Sequence, residues 1–243
     1  MKERPILFSG AMVRAILAGR KTQTRRVAKT VTSLPDGKGY TCLQKPGSNT
    51  VLPLVGGQWQ WQPAAGDDWQ PYPHIEEYCP YGKPGDRLWV RETWSDDALC
   101  MYPCPRVWYR ASDSIDRNDG HTCPKESRGR YADCLACWED REGRKFKWKP
   151  SIFMRRHHCR IVLQIVAVRV ERLQEITRQD AIAEGIHRFV VGGCEYFHWR
   201  KEAPTEEHFN SAVMAYRDLW QLINGPHSWA TNPWVWVVEF KRL

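Results

Sequence analysis

The run Ile161–Val170 (IVLQIVAVRV) is the clearest strand of this chain, and the segments around it restrict what the chain can fold into. Apolar and β-branched side chains fill it almost without a break, yet it is far shorter than the ~20 residues a membrane helix needs. Arg87–Trp94 alternates like a strand after the turn Lys83-Pro84-Gly85-Asp86, and Trp234–Phe240 is a third strand. Helical spacing is rarer. Met12, Val13, Ile16 and Leu17 recur behind the N-cap candidate Ser9 and stop at Gly19, after which Thr22–Val27 leaves as a strand or extended loop. Thr177-Arg178-Gln179-Asp180 is a capping-box variant, with Ile176 as its staple, and starts a short helix ending at Gly185. A longer helix is expected from Thr205, with Phe209, Val213, Tyr216, Leu219, Trp220 and Ile223 on one face and Gly225 closing it. Short strands that do not alternate regularly with helices favour an α+β fold around a small β-barrel over a doubly wound parallel sheet.

A chain of 243 residues can bury a sizeable core, and it reads as a single domain, 1–243, carrying two irregular insertions. In the first, about 29–80, Gly, Pro, Gln and Trp alternate with no sustained period, with a hairpin around Val55–Trp61. The second, about 96–148, is polar and turn-rich and holds most of the cysteines; Lys149–Met154 then re-enters the core. No apolar run approaches a membrane span, and the start, charged at Arg4 and only briefly apolar, does not resemble a signal peptide. A cytoplasmic protein with no membrane partner is expected.

Nine cysteines, an odd number, argue against a full disulfide framework. Cys134 and Cys137 form a C-x-x-C, with Cys123 before it and Cys100 and Cys104 further back. Thiolates so spaced can close a tetrahedral zinc site and hold together a segment with little core of its own. Cys104, Cys123, Cys134 and Cys137 are the candidate ligands of a structural zinc, against the alternative of unrelated thiols. No organic cofactor is expected.

The charge is unevenly spread. Residues 1–30 hold eight Lys or Arg against Glu3 alone, an excess of +7 in a chain whose total is +8. A solvated face more often mixes its signs, so a phosphate or polyanion site beside the first helix end is the sharper reading. Thirteen tryptophans serve chiefly as core, with stacking on flat ligands as their second use.

The segment Ile16-Leu17-Ala18-Gly19-Arg20-Lys21-Thr22-Gln23-Thr24-Arg25-Arg26 resembles the signature of ASCH domains, within the PUA-like superfamily. Lys83–Val90, Ala183-Glu184-Gly185-Ile186 and Trp236–Phe240 follow in that family's order, as in the larger ASCH proteins of bacteriophages and prophages. The resemblance covers about half the chain and leaves both insertions aside. It implies a PUA-like β-barrel, a fold that commonly holds RNA or a modified nucleobase. The usual ASCH acid between the lysine and the final arginine is missing here, where Thr24 or Arg25 stands. Small bacterial ASCH amidohydrolases, which deacetylate N4-acetylcytidine, share the Lys-Thr-x-Thr order and use a lysine, a threonine and a glutamate. Carried over, these are Lys21, Thr24 and Glu184, with Arg20, Arg25, Arg26 and Trp89 as candidate nucleic-acid or substrate contacts.

Amide hydrolysis needs a nucleophile, a base and a donor for the developing oxyanion. Thr24 attacks or positions a water, Lys21 becomes a base once burial and nearby cations favour its neutral form, and Glu184 orients the ammonium or shuttles a proton. One geometric condition applies. On a regular strand Lys21 and Thr24 point to opposite faces, so the chain must turn between them. Three functions compete: an acyl-amide hydrolase acting on a cytidine-like base, a non-catalytic reader of RNA or DNA, and a phage protein that binds a host factor.

Overall fold

The computed structural model describes residues 1–33, 40–48, 50–55, 58–61, 68, 70–96, 107–112, 147–199 and 208–243. Among the described residues three α-helices and fourteen strands make an α+β fold dominated by sheet. The strands are β1 (Glu3–Leu7), β2 (Gln23–Val27), β3 (Thr30–Ser33), β4 (Tyr40–Gln44), β5 (Val51–Val55), β6 (Gln58–Trp61) and β7 (Gln70–Pro71), followed by β8 (Arg87–Arg91), β9 (Trp94–Ser95) and β10 (Trp108–Tyr109). β11 (Val162–Arg172), β12 (His187–Val191), β13 (Cys194–His198) and β14 (Trp234–Arg242) complete the set. The helices are α1 (Gly10–Leu17), α2 (Arg178–Ala183) and α3 (Ala212–Asn224).

The central sheet runs β1-β8-β11-β14-β2, parallel between β1 and β8 and antiparallel elsewhere. β14 is its most enclosed strand. Trp236, Val238 and Phe240 enter one core with Phe8, Val13, Ile16, Leu88 and Leu163, while Val235 and Val237 enter a second core with Ala181, Tyr216, Leu219 and Trp220. Burial on both faces explains why the sequence of β14 shows no clean alternation. β1 and β2 are the edges. Among the described residues no ladder joins them, so backbone pairing does not close the sheet into the expected barrel.

The local punctuation acts as the residue types require. The Ser9 side chain accepts from the Met12 N–H at the start of α1, and Thr177 and Asp180 cap the start of α2 reciprocally. α3 departs from expectation: it begins at Ala212, and Phe209 instead forms a β-bridge with Phe197, while Thr205 lies outside the described residues. Cross-strand pairing offers Phe209 backbone partners and a place beside the second core. Of Ile152, Phe153 and Met154 only Met154 enters the interior; the other two are exposed in a 3₁₀ turn. The first insertion is more ordered than its composition implies. β3 to β7 form an antiparallel five-stranded sheet whose Leu43, Leu52 and Trp59 join the first core. No helix among the described residues is long and apolar enough to cross a membrane.

Candidate functional site

The chain turns between α1 and β2. Gly19, at φ +70°, ends the α1 region, and the next residues run to the open edge of β2. There Lys21 and Glu184 form an isolated antiparallel bridge, tied on by Thr22 N–H donating to the Ala183 carbonyl at 2.8 Å. Lys21 therefore lies before the regular strand, and strand alternation applies only from Gln23 onward. Gln23 and Arg25 face α2, whereas Thr24 and Arg26 pair in register with Val238 and Trp236 and share their face of the sheet.

Lys21 Nζ donates to Glu184 Oε2 at 2.7 Å and to the Glu184 carbonyl at 2.8 Å, with both side chains almost wholly enclosed (0% and 3% exposed). The ammonium lies 5.7 Å from the centre of the Phe8 ring, and the Arg26 guanidinium lies 5.4 Å from the same centre. Burial lowers the pKa of Lys21, Glu184 pulls it back up, and Arg26 and Arg25 add to the lowering. Gly185 makes the approach possible. At φ +102° it adopts a backbone that L side chains avoid, and a Cβ there would meet Ala15 Cβ at 3.1 Å and Lys21 Cβ at 3.3 Å.

Arg25 is also fully buried, and its guanidinium meets Glu171, Asp180 (3.3 Å) and Glu184 (3.5 Å). Its hydrogen-bonding ends thus face protein carboxylates. Burial opposes ionisation of Asp180, but hydrogen bonds from Thr177 together with Arg25 and Gln23 hold its pKa below the ordinary value. Arg26 donates to the Leu7 carbonyl across the gap between the two edge strands, and its buried Nε has no hydrogen-bond partner among the described residues. Arg20 donates to the Gly185 carbonyl at 3.2 Å. Thr24 is buried.

Lys21, Glu184, Arg20, Arg25 and Arg26 are therefore brought together, with Thr24 on the Arg26 side. Trp89 is not among them: it lies on β8, with β11 and β14 between it and β2, and the Arg91 guanidinium stacks 4.6 Å from its ring centre. Glu184 and Gly185 also form one wall of a mostly apolar pocket of about 240 Å³ between α1 and α3, lined by Met12, Ala15, Trp199 and Leu219. Phe8, Glu171 and Asp180 are site residues that sequence reasoning passed over. Asp180 was visible only as a helix cap, and nothing local marks Phe8 or Glu171.

Cys104, Cys123, Cys134 and Cys137 lie outside the described residues. Among the described residues there is no group of three or more His, Cys, Asp or Glu that could hold a metal ion. Comparison of the chain with family models, with curated proteins and with solved structures finds no match.

Proposed function

We propose that this is a nucleobase- or nucleic-acid-binding protein of ASCH type on a PUA-like core, whose Lys21–Glu184 site hydrolyses an acyl amide on a cytidine-like base. The observation that carries the reading is the buried Lys21–Glu184 pair, formed by residues 163 positions apart at the two motifs of the resemblance. Burying two charges costs several kcal/mol per ion before their attraction is counted, and a hydrophobic pair would often be at least as stable. A catalytic use gives such a pair a purpose. The orphaned Arg26 Nε–H is a second support, because a buried donor without a partner costs about 1–3 kcal/mol and a substrate oxygen would relieve it.

In this reading Lys21 passes its proton to Glu184 over the 2.7 Å hydrogen bond as substrate binds. Neutral Lys21 then takes a proton from Thr24 or from a water it orients, and the oxygen adds to the acyl carbon. Arg26 stabilises the oxyanion, the C–N bond breaks, and the amine leaves with a proton. When Thr24 is the nucleophile, water cleaves the resulting ester and regenerates its hydroxyl. The products are cytidine and acetate.

The test is acetate release from N4-acetylcytidine by the full chain. Lys21→Ala and Thr24→Ala should each lower the rate by about 10²-fold or more, with melting measured alongside. One observation favours a non-catalytic reader instead: Lys21 already donates to a carboxylate and a carbonyl, and both bonds favour its protonated form against the effect of burial. Nucleoside binding without turnover would select that reading, and absence of both binding and release would remove the cytidine-directed site.

A further inference from the structure

A cleft of about 810 Å³ opens between the second sheet and the β2–β14 edge of the central one, more than three times the volume of the pocket at Glu184. Lys29 stands at its mouth just beyond β2, the β4–β5 turn brings Lys45, Tyr78 and Tyr81 form a wall, and Trp236 is the floor. Its volume lies within the ~300–1,000 Å³ of small-molecule sites.

The lining has a definite chemistry. Three aromatic residues line it, and Tyr81 is partly exposed, so a flat ring has a face to stack on. Among the described residues two lysines line it and no carboxylate does. Lys29 has no acidic partner among the described residues, and Lys45 is held by Glu77, which stands outside the lining. Rings beside the Lys29 ammonium, with Lys45 near by, suit a planar base carrying a phosphate. The cleft also adjoins the site described above. Burial raises the Tyr81 phenol, and the Arg26 guanidinium pulls it back down, so Arg26 acts on both the cleft and the Lys21 ammonium.

We propose that this cleft binds one nucleotide, its base against Tyr81 above Trp236 and its phosphate between Lys29 and Lys45. The inference rests on reading the protein as a nucleobase binder, and it gives the 29–80 insertion a role: the second sheet supplies the wall that the central sheet lacks.

Calorimetric titration of the full chain with cytidine, cytidine 5′-monophosphate and an oligocytidylate tests it. The phosphate should tighten binding over cytidine, by an amount that shrinks as salt is raised. Tyr81→Leu, which keeps apolar bulk, should weaken all three ligands about tenfold. Lys29→Glu, at an exposed position, should weaken the two phosphorylated ligands and spare cytidine. An oligomer tighter than the monophosphate identifies a strand as the source of the nucleotide, and equal affinities identify a free nucleotide. The proposal is overturned if no nucleotide binds, or if nucleotides bind with unchanged affinity to both variants at wild-type melting temperature. Failure of the Lys21 reading is read separately: acetate release absent from wild type, with nucleotide binding still sensitive to Tyr81 and Lys29, removes the hydrolase and leaves the cleft.

Discussion

Lys21 and Lys29 lie at opposite ends of β2, yet they live under different physics. Lys21 is sealed on the strand edge by Glu184, Phe8 and the turn at Gly185, and its charge is answered within 3 Å. Lys29 is exposed at the mouth of an open cleft, with no acid answering it among the described residues. One basic run thus meets two environments, and strand geometry makes the division. Positions reaching α2, or the bridge beside it, meet the carboxylates of Glu171, Asp180 and Glu184, whereas Lys29, beyond the strand, lines the open cleft. The contrast also separates where energy is at stake. A sealed pair couples strongly to folding, whereas an open lysine contributes little to it.

The sharpest way to break that comparison is to remove one member of the sealed pair. Glu184→Ala leaves Lys21 Nζ enclosed with only a carbonyl, and should destabilise the chain by about 3–5 kcal/mol in urea unfolding. Lys21→Met combined with Glu184→Leu should recover most of that loss, since two apolar groups of similar size replace both charges. A Glu184→Ala protein as stable as wild type would mean that the pair is hydrated like the cleft.

A smaller effect appears with pH. Burial lowers the pKa of Lys21 below its ordinary 10.5, so the folded chain releases this proton at a lower pH than the unfolded chain does. Between the two values the unfolded state holds the extra proton, and raising pH therefore favours folding. The gain accumulates at up to about 1.4 kcal/mol per pH unit and is complete above the unfolded value. Tyr216 acts in the opposite sense at high pH, because burial first, and then Glu184, raises its phenol. The difference between wild type and Lys21→Met isolates the lysine. That difference should climb through the alkaline range, and a flat one would show that the ion pair keeps Lys21 at its ordinary value.

The smallest effect sharpens the open side. Lys45 and Glu77 are each 39% exposed, so Glu77→Gln should leave the melting temperature unchanged. It should also release Lys45 toward the cleft and tighten cytidine 5′-monophosphate about twofold. Unchanged nucleotide affinity would place the phosphate away from Lys45.

Much of the fold was written locally. β11 follows from its β-branched run, α2 from the Thr177–Asp180 box, and the ends of α2 and α3 from Gly185 and Gly225. These are short-range effects, set by neighbouring dihedrals and by the nearest unpaired N–H groups, so a window of a few residues suffices. Of the β3–β7 sheet only the hairpin around Val55–Trp61, formed by β5 and β6, was legible, and the rest escaped the same reading. Its strands are short and broken by Gly and Pro, and what orders them is packing of Leu43, Leu52 and Trp59 against a core built from distant segments.

The sequence by itself determined that the N-terminal thirty residues carry nearly all of the excess positive charge, and that Lys21 follows a helix end. Only the tertiary structure decided what that charge meets. Glu171, Asp180 and Glu184 lie roughly 150 positions away along the chain and within about 3.5 Å in space, and Coulomb energy depends on the second distance alone. Burial was decided the same way. The same side-chain type is sealed at Lys21 and solvated at Lys29 because α1, α2 and β14 close over one end of β2 and leave the other to the cleft.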